Sequence, residues 1–481
     1  MTKRSLQEVA EYLFSLERDH ALFNETCLGV RYWKYIRYRV FLEIAQSLDI
    51  IESKDPPSRK SFRDRLRQIY QQIYHAFFAS AFSVKRSCEV ILFPHTRKTR
   101  VNDQWIDIYT AYLENQFESE GFSFLAVEKP FHRNYVRRAD ATHRYDISFS
   151  FGAVLRYRRE KKKAAVILKN DGLPARLRAE AENHFGSPLQ IPSLTEKRAG
   201  KHVAKFSMKE RQYRALFQRL NPKDVYLVVG YSGKEPVVSA AHACGIPVTE
   251  IQHGVITPYH LGYAFPKADQ VPYFPDRLIL WGRFWAESTP LPVKNKHIRI
   301  DGFPYLESQL HRYESETRNG QQLLVISQPT INRDLMRLVL PFARAHLEWT
   351  IQFRLHPSDC AGWRERYPEL ADAEHAITGL SVIDRDQVSL HQDLKRSSYV
   401  LGGYSTALVE AHAAGCHVLL ADVPGIEHYQ VFLEKGLWRL VRDSEEIETC
   451  LQKGELAAPD TDAFIAPSPY ANSALPPLSD P

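Results

Sequence analysis

The chain has 481 residues and a net charge of +6, with 44% hydrophobic and 25% charged residues. At roughly 150 residues per domain this length implies two or three folded units, and the apolar content excludes wholesale disorder. No segment approaches the roughly 18 uninterrupted apolar residues that a membrane span needs. The N-terminal MTKRSLQEVAEYLFSLERD carries charge where a signal peptide is apolar, so a cytoplasmic protein is expected. The six cysteines are scattered without a CxxC pair or zinc-ligand spacing, which points to reduced thiols and no metal site.

In chain order, residues 1–87 read as a helical preface. Within it, Arg59, Lys60, Arg63, Arg65, Arg67, Lys85 and Arg86 accompany Leu66, Ile69, Tyr70, Ile73, Tyr74, Phe77 and Phe78 at helical spacing. Two readings stand: a stripe packed on the first lobe with solvated charges, which the frequency of core-facing stripes favours, or a helix lying on an anionic membrane surface. From 88 to 265 the runs CEVILFP, FSFLAVE, YDISFSF, AAVILKNDG, DVYLVVG and IPVTEIQHG read as strands separated by helical segments. The basic run RYRREKKK at 156–163 suits an acidic acceptor, lipid headgroups or a plain exposed face. A polar stretch at about 186–208 reads as a surface insertion, and the proline-rich TPYHLGYAFPKADQVPYFP as an interlobe connection.

A second lobe is expected over 275–455, from DRLILWG and HIRIDGFP through QQLLVISQP, WTIQFRLHP, LSVID, SYVLGG and HVLLADVPG. Residues 456–481, rich in Pro, Ala, Ser and Asp, read as a disordered tail. Alternating strands and helices predict an α/β fold of two doubly wound, Rossmann-like lobes facing a cleft. Neither basic run carries a nucleic-acid recognition motif.

Three segments carry the chemistry: IQHG at 251–254, FRLHPSD at 353–359 and GGYSTALVEAHAAG at 402–415. Each follows a β-rich run, so its polar groups fall at carboxyl ends of parallel strands, where open α/β sheets bind ligands. Pro357 holds His356 out of helical geometry. Gly403 allows close backbone approach, and Ser405 or Thr406 caps the next helix, whose first amides suit a phosphate. Glu410 is placed to accept from a ribose. Arg354 shares a strand face with His356 by the two-residue period and is a candidate to neutralise phosphate or a sugar carboxylate. Gln328 is a further cleft candidate, His253 a candidate base or ligand holder beside the open Gly254, and His260 and Tyr263 candidate cleft or acceptor residues.

The two lobes, the His356-Pro357 dipeptide and the Ser405-Thr406 pair resemble the GT-B glycosyltransferases of bacterial surface polysaccharides. The polysialyltransferase-like, Kdo transferase and teichoic-acid polymerase branches, which use cytidine nucleotides, are the most similar. QHGVITPYHLGY, WIDIYTAYL and DRLILWGRFW are similar to capsule and O-antigen glycosyltransferases. The resemblance implies Asp171 with Gly172 as the catalytic acid motif, His356 with Pro357 at the cytidine nucleotide and Ser405 with Thr406 at phosphate. The sequence departs from the pattern at Asn170, where a second acid is usual, and Asn-Asp-Gly is also a common turn.

The expectation is therefore a metal-independent transferase needing no cofactor. It would move an acidic keto sugar such as Kdo, sialic or pseudaminic acid from a CMP-linked donor to a lipid-linked or growing glycan, with peripheral contact at the cytoplasmic face of the inner membrane. A UDP-, GDP- or dTDP-sugar donor, a CDP-polyol phosphotransferase and a noncatalytic glycan-assembly partner are the alternatives.

Overall fold

The computed structural model describes residues 4–51, 62–96, 98–101, 104–130, 135, 139–148, 150–266, 271–384, 389–423, 425–453 and 461–470. The first lobe is a seven-stranded parallel sheet of β1 (Val90–Phe93), β4 (Phe124–Glu128), β5 (His143–Tyr145), β6 (Asp224–Val228), β7 (Val248–Ile251), β8 (Arg277–Leu280) and β9 (Ile298–Ile300). Its order is β5-β4-β1-β6-β7-β8-β9; β2 (Thr99–Val101) and β3 (Gln104–Ile106) form a separate antiparallel ribbon. The second lobe comprises β10 (Asn319–Ile326), β11 (Thr350–Arg354), β12 (Leu380–Ile383), β13 (Ser397–Gly402), β14 (His417–Ala421) and β15 (Arg439–Val441), all parallel, in the order β12-β11-β10-β13-β14-β15.

Both sheets are doubly wound, starting centrally and reversing direction once, between β1 and β6 and between β10 and β13. A ligand crevice is expected at each reversal. Central strands such as β1, buried at every residue, are apolar throughout because helices cover both faces. The two lobes share one apolar cluster running from Val90 and Leu92 through Trp281, Trp285 and Phe303 to Leu324, Val400 and Val418. The chain thus folds as two parallel, doubly wound α/β lobes that meet in this core.

The boundaries differ from the sequence expectation. DRLILWG and HIRIDGFP supply β8, which pairs with β7, and β9, which pairs with β8, so both belong to the first lobe. The proline-rich segment before them is thus an excursion within that lobe, and the chain crosses over after the helix Pro304–Arg312. AAVILKNDG is not a strand: it lies in the helix Phe151–Asp171, packed on the helix Glu196–Leu220 so closely that a Cβ on Gly200 would sit 2.8 Å from the Ala165 nitrogen. Among the described residues of YDISFSF only Tyr145 is in a strand.

The stretch at 186–208 is no surface insertion, because the long helix starts at Glu196 and buries Val203, Ala204 and Phe206. The expected tail is ordered over 461–470: Phe464 is buried, its carbonyl accepts from Trp285 Nε1 at 2.6 Å, and Ala466 donates to the Trp281 carbonyl. Its apolar residues return it to the first lobe. Residues 456–460 and 471–481 of that expectation lie outside the described residues.

The helical preface packs its helices Leu6–Asp19 and Tyr32–Ser47 on the helices Phe151–Asp171, Leu173–Phe185 and Glu196–Leu220 in a separate apolar cluster. From there Arg37, 1% exposed and ion-paired with Glu17, donates to the carbonyls of Leu261 and Ala264. Each nitrogen of this buried group has a partner, as burial of a guanidinium demands.

Candidate functional site

In the second lobe, adjacent strand ends converge at the reversal of chain direction. β11 delivers His356, whose amide donates to Ser327 Oγ at 2.9 Å and whose Nδ1 lies 2.7 Å from Ser358 Oγ. β10 delivers Gln328, whose Nε2 donates to the Tyr404 carbonyl at 3.0 Å while its Oε1 is buried without a partner. β13 delivers Gly403 to Ser405, and Ser405 caps the helix Thr406–Ala413 by accepting from the Ala407 amide at 3.3 Å. A Cβ on Gly403 would lie 2.4 Å from Ile331 Cδ1 and 3.0 Å from Val423 Cγ2, so a larger residue at that turn would have to displace these side chains. His356, Pro357 and Ser358 are exposed and Ser405 and Thr406 half-buried, so this crevice opens outward beside a helix N-terminus suited to an anion.

The first lobe faces it with IQHG: a Cβ on Gly254 would stand 3.7 Å from Thr406 Cγ2. Thr257 Oγ1 and His428 Nδ1, 3.0 Å apart, tie the lobes beside that gap. His253, half-buried at the end of β7, lies between two phenols, 3.4 Å from Tyr231 Oη and 3.4 Å from Tyr263 Oη. The His95 ring is stacked 5.9 Å away.

His260 Nδ1 accepts from the Gly262 amide, so in the neutral ring Nε2 carries the proton and donates to Tyr231 Oη at 3.1 Å. Tyr231 then donates toward His253, His253 toward Tyr263, and Tyr263 to Glu250 at 2.8 Å. The chain of protons runs one way, from a backbone amide to a buried carboxylate.

Burial, with the charges of His95 and Lys234, brings His253 down to about 3, and burial, with His428 and His253, holds His260 well below its usual range. Burial likewise brings His428 to about 4. All three are neutral imidazoles near pH 7, able to donate and accept. Behind them, burial raises Glu250 and Glu235, and Glu235 accepts from the Ser232 and Gly233 amides. These bonds pin a strained loop in which Val229, a β-branched residue, has φ +65°.

No protein-family profile matches the sequence, and no curated protein matches it. Solved structures align with most of the chain at low identity. UDP-GlcNAc 2-epimerase from Methanocaldococcus jannaschii is 11% identical at a TM-score of 0.46, with 76% of this chain and 91% of that chain covered. The Neisseria meningitidis UDP-GlcNAc 2-epimerase bound to UDP-GlcNAc is 12% identical at 0.45, covering 81% and 94%. MurG of Acinetobacter baumannii is 12% identical at 0.45, covering 81% and 96%. At these values the likeness concerns the overall arrangement alone.

The structure sets Gln328, His356, Pro357, Gly403, Ser405 and Thr406 at or just beyond neighbouring strand ends of the second lobe, and His253, His260 and Tyr263 in one polar chain beyond β7 of the first, with Gly254 and Thr406 close between the two groups. Arg354 is instead paired with the buried Asp393, its Nη1 2.5 Å from Oδ2, so its charge is already met within the lobe. Glu410 Oε2 lies 2.9 Å from His391 Nε2, so this carboxylate is engaged within the lobe.

Asp171 is not at a strand end: it is the exposed last residue of the helix Phe151–Asp171, which Gly172 terminates in the left-handed conformation at φ +74°. Its charge is felt by Cys27 and Tyr32 in the preface, and no described contact joins it to the cleft.

Sequence reasoning missed Tyr231, His95, His428 and Glu250. Tyr231 alone carried a signal, two residues beyond the apolar run of β6. Among the described residues no three His, Cys, Asp or Glu side chains are grouped to hold a metal.

Proposed function

We propose that the chain is a nucleotide-sugar glycosyltransferase acting on a surface glycan, with the donor held in the second lobe. The observation that carries this is the convergence of His356, Gln328 and the Ser405-capped helix at the reversal of the second sheet, directly opposite Gly254. A donor phosphate there meets first-turn amides and the helix dipole. The sugar then points toward the first lobe, where His253 and Tyr231 offer an acceptor hydroxyl neutral hydrogen-bonding groups. Enclosure between lobes excludes water and aligns the reacting atoms.

The donor is read as a CMP-linked acidic keto sugar and the acceptor as a lipid-linked or growing capsule or O-antigen glycan, from the resemblance of His356-Pro357 and Ser405-Thr406. The orphaned Gln328 Oε1 supports a ligand that donates to it. His253 is the base candidate in place of Asp171, its affinity for a proton rising once an anion lies beside it.

Calorimetry with CMP, CDP, UDP and GDP, on the wild type and on His356→Ala, tests the reading. Binding of CMP or CDP that His356→Ala weakens is expected; tighter UDP binding would keep the site and change the donor. Absence of binding by all four would remove the nucleotide reading.

A further inference from the structure

The helix Phe62–Phe78 presents Leu66, Ile69, Tyr70, Ile73, Phe77 and Phe78 at i, i+3, i+4, i+7 spacing, and all are exposed, Tyr70 by 70% and Phe78 by 69%. The sequence pattern favoured a stripe packed on the lobe, and the structure leaves it uncovered. Arg59 and Lys60 of the accompanying basic cluster lie outside the described residues; Arg63 and Arg67 are exposed on the helix itself.

A second such surface adjoins the first. Arg144 donates to the Phe78 carbonyl and Ser80 Oγ to the Ile147 carbonyl, which sets the end of that helix a few residues from the start of the helix Phe151–Asp171. There Phe151 is 71% exposed, followed by the exposed Val154 and Leu155 and then by Arg158, Arg159, Lys162 and Lys163. The middle of the same helix contributes Lys161 to an open cavity of about 730 Å³ that Arg178, Lys197, Arg198 and Lys201 also line. None of these five cations forms an ion pair among the described residues. Their field is felt nearby: burial, with Arg39, Lys205, Lys201 and Arg198, brings His202 down to about 4.

We infer that these two helices dock the protein on an anionic lipid bilayer, apolar side chains entering the acyl boundary and the cations, including those of the cavity, meeting lipid phosphates. Aromatic and aliphatic side chains beside clustered Lys and Arg are the chemistry of an interfacial helix. No described helix is long and apolar enough to cross a membrane, so the contact lies along the surface. A second copy of the chain fits less well, since two like-charged faces would meet. This inference goes beyond the donor assignment, and its test needs no nucleotide, so either can fail alone.

The full chain is sedimented with phosphatidylcholine vesicles with and without phosphatidylglycerol. Pelleting only with the anionic vesicles, weakened by salt, is expected. Tyr70→Ser/Phe77→Ser/Phe78→Ser should lower that partition by at least about tenfold with an unchanged Tm. Arg158→Glu/Lys162→Glu should lower it about tenfold at low salt. Absence of pelleting, pelleting indifferent to both sets, loss of folding in the serine variant, or a wild-type dimer that the serine variant breaks would each overturn the inference.

Discussion

The two lobes share a strand order and a reversal of chain direction, yet they treat the crevice at that reversal in opposite ways. In the first lobe it is closed: Lys234, buried at the start of the helix Glu235–Ala243 that follows β6, donates from Nζ to the carbonyls of Phe93 at 2.6 Å and Pro94 at 3.1 Å, at the end of β1. Burial and the nearby Lys129 hold that amine well below its usual range. In the second lobe the same place is bridged by one neutral amide, Gln328, which leaves a buried oxygen without a partner. Equivalent topology thus gives a plugged crevice that supports a polar relay and an open crevice that can receive a ligand.

The largest effect that would break this comparison is on stability. Lys234→Ala leaves two strand-end carbonyls and nearby buried charge without their partner, and should cost about 3 kcal/mol in urea unfolding. Gln328→Ala, which removes one neutral hydrogen bond, should cost about 1 kcal/mol. Equal losses would mean that both crevices are structural.

Next comes the gap between the lobes. A Cβ at position 254 would meet Thr406 at an ordinary van der Waals distance, so Gly254→Ala should bind donor nucleotide as the wild type does. Gly254→Leu must push the lobes apart or fill the mouth, at about 1–3 kcal/mol, or roughly tenfold to hundredfold in affinity. Unchanged affinity in the leucine variant would place the donor elsewhere.

Much of this was legible in the sequence, for identifiable reasons. The apolar runs of β1, β6, β7, β10, β11 and β13 are short and end at Gly, Pro or a polar turn, so their strand character and the position of IQHG, LHPSD and GGYST at strand ends could be read. AAVILKNDG could not: five adjacent apolar residues suit a buried strand, whereas the structure places them on a helix that buries Ala164 and Leu168 and packs Ala165 against Gly200. With that helix Asp171 moves to a surface C-terminus, so Asp171→Ala should leave turnover unchanged. The lobe boundary was missed because β8 and β9 look like any other short apolar runs, and only the pairing of β8 with β7 and of β9 with β8 assigns them. The pairing of Arg354 was not legible because a strand face is readable, whereas Asp393, 39 residues away on another element, is not.

A smaller effect concerns the capping hydroxyl of the open crevice. Ser405→Ala removes the acceptor for the Ala407 amide, at about 1 kcal/mol of stability. Because the hydroxyl itself stands at the start of the proposed phosphate cradle, its loss should lower nucleotide affinity by about fivefold in parallel. A stability loss without an affinity loss would separate the helix start from the ligand.

The smallest effect is a pH dependence seated where the lobes touch. His428, at about 4 in the folded protein, takes up no proton between pH 7 and 6, whereas in the unfolded chain, with an ordinary value near 6.5, it does. The unfolded state therefore binds more protons, and stability present above about 6.5 is lost as pH falls toward 4, by about 0.7 kcal/mol from this residue between pH 7 and 6. Asp107 acts the other way: burial raises it to about 6 despite Lys98, so the folded state gains protons below that value and offsets part of the loss. Between pH 7 and 6 the imidazole dominates, because Asp107 reaches half-protonation only at the lower value and offsets about half of the loss. Thermal unfolding of His428→Asn at both values should then show a smaller drop in Tm than the wild type, while Asp107→Asn should steepen the loss below 6. An identical drop in His428→Asn would mean that the histidine is accessible to protons in the folded state and that the contact with Thr257 opens readily.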